Sequence, residues 1–156
     1  DRLRLAWTFV LTQPGAPVIY YGDEIGLTGG PDPDNRHDMR FGDALTDAER
    51  ATRRHVRRLG RLRDCSTALR RGDYTPVDAG PDHLVYARRT TGGEVAIVAL
   101  NRSASAKSVQ LNAPGPMARA LTGDEVVPDD EGRIALEVPA LGSAVLVTET
   151  ACAASN

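Results

Sequence analysis

Residues 15–24, GAPVIYYGDE, decide how the first half of the chain is read. Their centre, 17–21, is a brief apolar run rich in β-favouring side chains, closed by Gly22, too short for a helix and without polar alternation. Such a run predicts a strand covered on both faces, as in a parallel sheet. Upstream, Leu3, Ala6, Trp7, Val10 and Leu11 recur at helical spacing over 2–12, and Pro14-Gly15 ends that helix. Downstream, 26–36 holds Gly29-Gly30, Pro31 and Pro33, which predicts an exposed loop. Loops at the carboxyl ends of parallel strands are where ligands bind. A second helix is predicted from Thr46, an N-cap with Glu49 three residues on, to about Ala68, with Ala48, Ala51, His55, Leu59 and Leu62 inward. Helix, strand, loop and helix make an α/β alternation.

The pattern changes near residue 73. Short β-branched runs at 84–90, 94–101, 107–112, 119–121, 133–138 and 143–148 then alternate with Gly, Pro and Asp clusters, and Thr91-Gly92-Gly93 is a hairpin signal between the first two. Both faces of 95–100 are apolar, so that strand is expected to be central. Strands at this spacing predict an antiparallel β-sandwich. The last six residues, 151–156, read as a small polar tail without core positions.

With 156 residues, 41% apolar and 26% charged, the chain can bury one or two small cores. A net charge of −2 supplies no general positive field for nucleic acid or anionic lipid. Nine arginines crowd 50–71, but no aromatics interrupt them, and they read as a solvated helix face. No apolar run approaches the roughly 20 residues of a membrane-spanning helix. Cys65 and Cys152 lack the spacing of a zinc ribbon or a dense disulfide framework, and they leave the compartment, and whether both thiols are free, open. The helical pattern starts at Asp1 without an initiator methionine, so the chain is expected to be a piece of a longer protein.

The 15–24 string resembles the segment that forms the eighth barrel strand in the α-amylase superfamily of glycoside hydrolases. GGPDPDNRHDM at 29–39 is similar to the loop after that strand in α-amylase, cyclomaltodextrinase and neopullulanase-type members. HVRRLGRLRD at 55–64 resembles the last barrel helix, and 72–147, including VAIVALNRS at 95–103 and VPALGSAVLV at 138–147, resembles the C-terminal all-β domain. The resemblance implies an α+β fragment: 1–72 as the helix-strand-helix end of a (β/α)8 catalytic barrel, 73–149 as an all-β antiparallel sandwich domain and 150–156 as a tail. It implies a retaining hydrolase of α-glucosidic bonds in starch-like saccharides whose catalytic carboxylates precede Asp1, so that the chain alone is inactive. The partner would be an α-glucan or oligosaccharide. No cofactor, metal, nucleic acid or membrane is implied, and an uncovered barrel strand would give the isolated chain a route to self-association. A non-enzymatic carbohydrate-binding sandwich with a helical extension is the alternative; the aromatics it needs are scarce beyond residue 73, where only Tyr74 and Tyr86 occur.

Among individual residues, Asp32 and Arg36 stand out, since the resemblance makes this DPxxR acid and arginine contact a sugar hydroxyl. A carboxylate accepts from adjacent hydroxyls while a guanidinium donates through a rigid fork. An ion pair bracing the loop is the other reading of the same two residues. Asp34 and Asn35 read as turn residues. Asp23 and Glu24 are neighbours on a strand end, point oppositely and cannot flank one bond. Tyr20 and Tyr21 are expected in the core with hydroxyl partners. His37, His55 and His83 share no metal-ligand spacing, and His55 is expected to pack and hydrogen-bond.

Overall fold

The computed structural model describes residues 1–121 and 124–153. Five strands met early in the sheet architecture are β1 (Asp73–Gly80), β2 (His83–Arg89), β3 (Val95–Asn101), β4 (Lys107–Asn112) and β5 (Met117–Arg119). They are followed by β6 (Glu125–Val126), β7 (Arg133–Val138) and β8 (Gly142–Val147). The helices are α1 (Arg2–Thr12), α2 (Asp47–Cys65), α3 (Thr67–Arg71) and α4 (Thr150–Ala153).

Every residue of β3 is buried, as its two apolar faces require. It pairs antiparallel with β2 on one side and β8 on the other, inside a sheet of order β1-β2-β3-β8-β5-β6. Alternation then sorts its side chains between two cores. Ala96, Val98 and Leu100 join Val56, Leu59 and Leu62 of α2, whereas Val95, Ile97 and Ala99 join Val109 and Leu111 of β4 and Ile134 and Leu136 of β7. The β4–β7 pair is a separate two-stranded sheet, buried on one face and open on the other. Asn101 ties the layers at one end: its amide nitrogen donates to the carbonyls of Ser105 (2.8 Å), Val138 (3.2 Å) and Pro139 (3.0 Å).

The helical layer is held by polar contacts at its seams. Arg63 of α2 is buried and donates from Nη1 to the carbonyls of Leu11 (3.0 Å) and Gln13 (2.9 Å), and from Nη2 to that of Gly15. Arg88 of β2 is buried too; it donates to the Gly72 carbonyl at 2.9 and 2.7 Å and to the Thr12 carbonyl at 2.8 Å. Both guanidiniums thus satisfy carbonyls that the end of α1 leaves without intrahelical donors, at the negative pole of its dipole.

Several expectations need correction. Residues 17–21 form no strand, and among the described residues every strand pairing is antiparallel. A parallel strand exists only through its neighbours' hydrogen bonds, and none lies alongside; Val18 is 83% and Tyr20 61% exposed. Tyr20 and Tyr21 are accordingly surface rings, 4.8 Å apart, and not core. The capping box at Thr46 forms as expected, but α2 stops at Cys65, and Ser66 caps the separate α3 by accepting from Leu69 N at 3.3 Å. The inward face of α2 is Thr52, Val56, Leu59, Leu62 and Arg63, while Ala48 is exposed and Ala51 and His55 are half-buried. The inward stripe agrees with expectation at Leu59 and Leu62 but lies one position later at Thr52 and Val56, and Arg63, expected on the solvated face, is interior.

Strand β1 was invisible in the sequence, since its residues are all exposed and Pro76 interrupts them. It is an edge strand, where a missing N–H costs no ladder bond. The strand expected at 119–121 lies at Met117–Arg119, and β6 is too short to leave a pattern. The terminal segment is not a tail without core positions: Cys152 and Ala153 are buried, and Cys152 is disulfide-bonded to Cys65. Residues 154–156 of that segment lie outside the described residues.

Candidate functional site

The loop that carries Asp32 and Arg36 is fastened to α1. Trp7 Nε1 donates to the Asp23 carbonyl at 3.1 Å, and Ile25 is buried beneath the turn that follows. That turn is closed by Leu27 N donating to Gly22 O at 2.9 Å. Gly22 has φ +93°, and a Cβ there would meet the Leu27 side chain at 2.8 Å, so only glycine fits. Glu24 bends back to accept from Gly22 N at 2.9 Å. Asp23 and Glu24, expected at a strand end, lie instead within a turn, and Glu24 serves that turn.

Beyond the turn, Asp34 accepts from Gly30 N at 2.7 Å and lies 3.5 Å from His37 Nε2, and its own N–H donates to Pro31 O at 2.8 Å. The Asp32–Pro33 peptide is cis. Asp32 Oδ1 and Arg36 Nε are 2.7 Å apart, with side chains 60% and 71% exposed. The structure therefore brings the two predicted residues together as an exposed ion pair. Each partner keeps free hydrogen-bonding capacity, because the carboxylate's second oxygen and both Nη groups of the guanidinium are unused by the single Nε contact. Tyr20, Tyr21 and Phe41, which flank this loop in the sequence, are exposed.

The histidines remain apart. His55 Nε2 donates to the Arg4 carbonyl at 3.1 Å and lies 2.9 Å from Thr8 Oγ1, which in turn lies 3.0 Å from Ser143 Oγ of β8. Burial holds its imidazole below the ordinary range despite the carbonyl partner, with the charges of Arg4 and Arg58 acting in the same direction as burial. His83 Nε2 pairs with Asp78 at 2.9 Å, while its Nδ1 faces Lys107 Nζ at 3.2 Å. Among the described residues no three His, Cys, Asp or Glu side chains gather as metal ligands. Sequence reasoning missed Trp7 as the anchor of the loop; its single occurrence on the buried face of a helix beside a glycine-bounded turn was the available signal.

No protein-family model matches the chain. It is 36% identical over 157 residues to the cyclomaltodextrinase of Geobacillus thermopakistaniensis (strain MAS1), a match that takes in 96% of this chain and 26% of the relative. The chain matches the C-terminal region of the α-amylase superfamily. An α-amylase structure from Anoxybacillus superposes on 93% of the chain with TM-score 0.78 and 30% identity, using 31% of its own length. The α-amylase of Geobacillus thermoleovorans, solved with acarbose, covers 93% with TM-score 0.77 and 29% identity, using 32% of its own length. These relatives are glycoside hydrolases, and this chain spans only about a quarter to a third of each.

Proposed function

We propose that this chain is the C-terminal part of an α-amylase-type glycoside hydrolase acting on α-glucosidic bonds of starch-like oligo- and polysaccharides. The observation that carries the reading is the 36% identity with a cyclomaltodextrinase across 96% of the chain. Residues 1–72 would close a (β/α)8 barrel, with α1 and α2 in its wall and 17–21 as its last strand; 73–149 would be the all-β sandwich domain and 150–156 the terminal segment. The bare Val18 and Tyr20 support this, since the apolar run gains cover only from strands outside the chain.

Bond cleavage in such an enzyme is retaining: one carboxylate attacks the anomeric carbon while an acid protonates the leaving oxygen. Both groups would lie upstream of Asp1. The role assigned to this chain is recognition, with Asp32 accepting from and Arg36 donating to the hydroxyls of one sugar ring. Acarbose in the G. thermoleovorans α-amylase supports a saccharide ligand.

Kinetics on the longer enzyme test the reading. Asp32→Ala and Arg36→Ala each remove a charge-assisted hydrogen bond of about 1.5–3 kcal/mol, lowering kcat/KM on maltooligosaccharides roughly ten- to a hundredfold. The 156-residue chain alone is expected to be inactive. Starch hydrolysis by the purified chain would overturn the upstream placement of the carboxylates, and unchanged kcat/KM in both variants would remove the sugar-contact role.

A further inference from the structure

The two half-cystines sit on different layers of the molecule. Cys65 ends α2, Cys152 lies in α4 after the last strand, and the bond between them spans a sequence separation of 87. The ring it closes contains all eight strands. A second contact runs beside it: the Glu149 carboxylate accepts from Ser66 Oγ at 2.5 Å, Thr67 N at 2.6 Å and Ala68 N at 3.4 Å. A third is the Leu121 N–H, which donates to the Ala153 carbonyl at 3.2 Å. Between these contacts Cys152 and Ala153 fill the core shared by helices and sheet, beside residues of α2, α3, β5 and β8.

We propose that the Cys65–Cys152 bond and Glu149 form a redox-released strap, holding residues 149–153 over the junction of α2 and α3 with the sheet. The proposal does not depend on the glycosidase reading. α4 is only four residues long, too short to be stable by itself, so its position depends on tethers. Of these the disulfide is the one that chemistry can remove under native conditions.

Release runs by thiol–disulfide exchange with a dithiol reductant. Cys65 is exposed and Cys152 is 6% exposed, so the attacking thiolate approaches Cys65 Sγ. A mixed disulfide forms there as Cys152 Sγ leaves with the bonding electron pair and takes up a proton. The reductant's second thiol then attacks its own bonded sulfur, expelling Cys65 as a thiolate that is protonated in turn. The dithiol ends as a cyclic disulfide, and the protein as two thiols. In an oxidising compartment the strap is closed; a cytosol kept reducing by thiol buffers leaves it open.

The test uses the intact wild-type chain, oxidised and then treated with dithiothreitol, so that no variant has to fold. Reduction is expected to lower Tm by about 5–15 °C, the range for loss of a disulfide closing a long loop in a protein of this size. It should also make Cys152 open to iodoacetamide and speed hydrogen exchange at Thr67, Ala68 and Leu121. Glu149→Gln should keep the disulfide while speeding exchange at Thr67 and Ala68 alone. Two free thiols in the unreduced protein would overturn the proposal. So would a reduced protein whose Tm is unchanged and whose Cys152 is still alkylated about a hundredfold more slowly than Cys65, because α4 then stays docked without the bond.

Discussion

Residues 95–100 and 18–21 are both uninterrupted apolar runs, yet the first is fully buried at the centre of a six-stranded sheet and the second lies bare without a ladder bond. Their side chains are equally suited to a strand. What differs is company: β3 has β2 and β8 alongside and a core on each face, whereas 18–21 pairs with no strand among the described residues and leads into a turn that Trp7 holds through the Asp23 carbonyl. A β-run is thus a request for partners, and the stability it confers belongs to the partners as much as to the run.

The sharpest way to break this comparison is to make the same change in both runs. Ile97, 2% exposed, replaced by Ala should cost about 2–4 kcal/mol in urea unfolding, while Ile19→Ala, at 44% exposure, should stay within about 0.5 kcal/mol. Equal losses would show that 18–21 is covered in solution. If the proposed barrel is correct, Ile19→Ala becomes costly in the longer enzyme.

The next largest effect separates two arginines. Arg88→Met leaves the buried carbonyls of Gly72 and Thr12 without their donor and should destabilise by about 2–3 kcal/mol in urea titrations. Arg36→Met, at an exposed site, should be nearly silent there. A silent Arg88→Met would mean that the α1 seam is held by packing alone.

A smaller effect concerns pH. Because burial holds the His55 imidazole below its ordinary value of 6.5, the unfolded chain takes up its proton first as pH falls. This contribution is fully present above about pH 6.5 and is lost below it, toward the depressed folded value. His55→Gln should flatten the slope of stability against pH in that window, as read by denaturant midpoints; an unaltered slope would assign it to other groups. The smallest effect is expected for Asp32→Ala in this chain: the exposed pair with Arg36 should contribute no more than about 0.5 kcal/mol, and thermal scans should overlay.

Legibility followed the range of the physics involved. The capping box was readable because Thr46 and Glu49 complete it within one turn. The Thr91-Gly92-Gly93 hairpin needs only local backbone freedom, and Gly93 N donates to Thr90 O at 3.3 Å within it. The alternation of β7 shows one face meeting a core wherever that core lies. At the candidate site, the closeness of Asp32 and Arg36 was legible for the same reason, since only Pro33, Asp34 and Asn35, all turn formers, separate them.

By itself, then, the sequence determined α1, most of α2, most strands, the central rank of β3 and the exposed loop, since each leaves its pattern within a few neighbouring residues. Only the tertiary structure decided that Arg63 and Arg88 are interior groups, that Asp73–Gly80 is an edge strand, that Cys65 meets Cys152, and that 17–21 goes unpaired. The physical reason is common to all four. A buried cation, an edge, a disulfide and a parallel strand are each defined by what stands opposite them in space, and the partner, or its absence, is written far away in the chain.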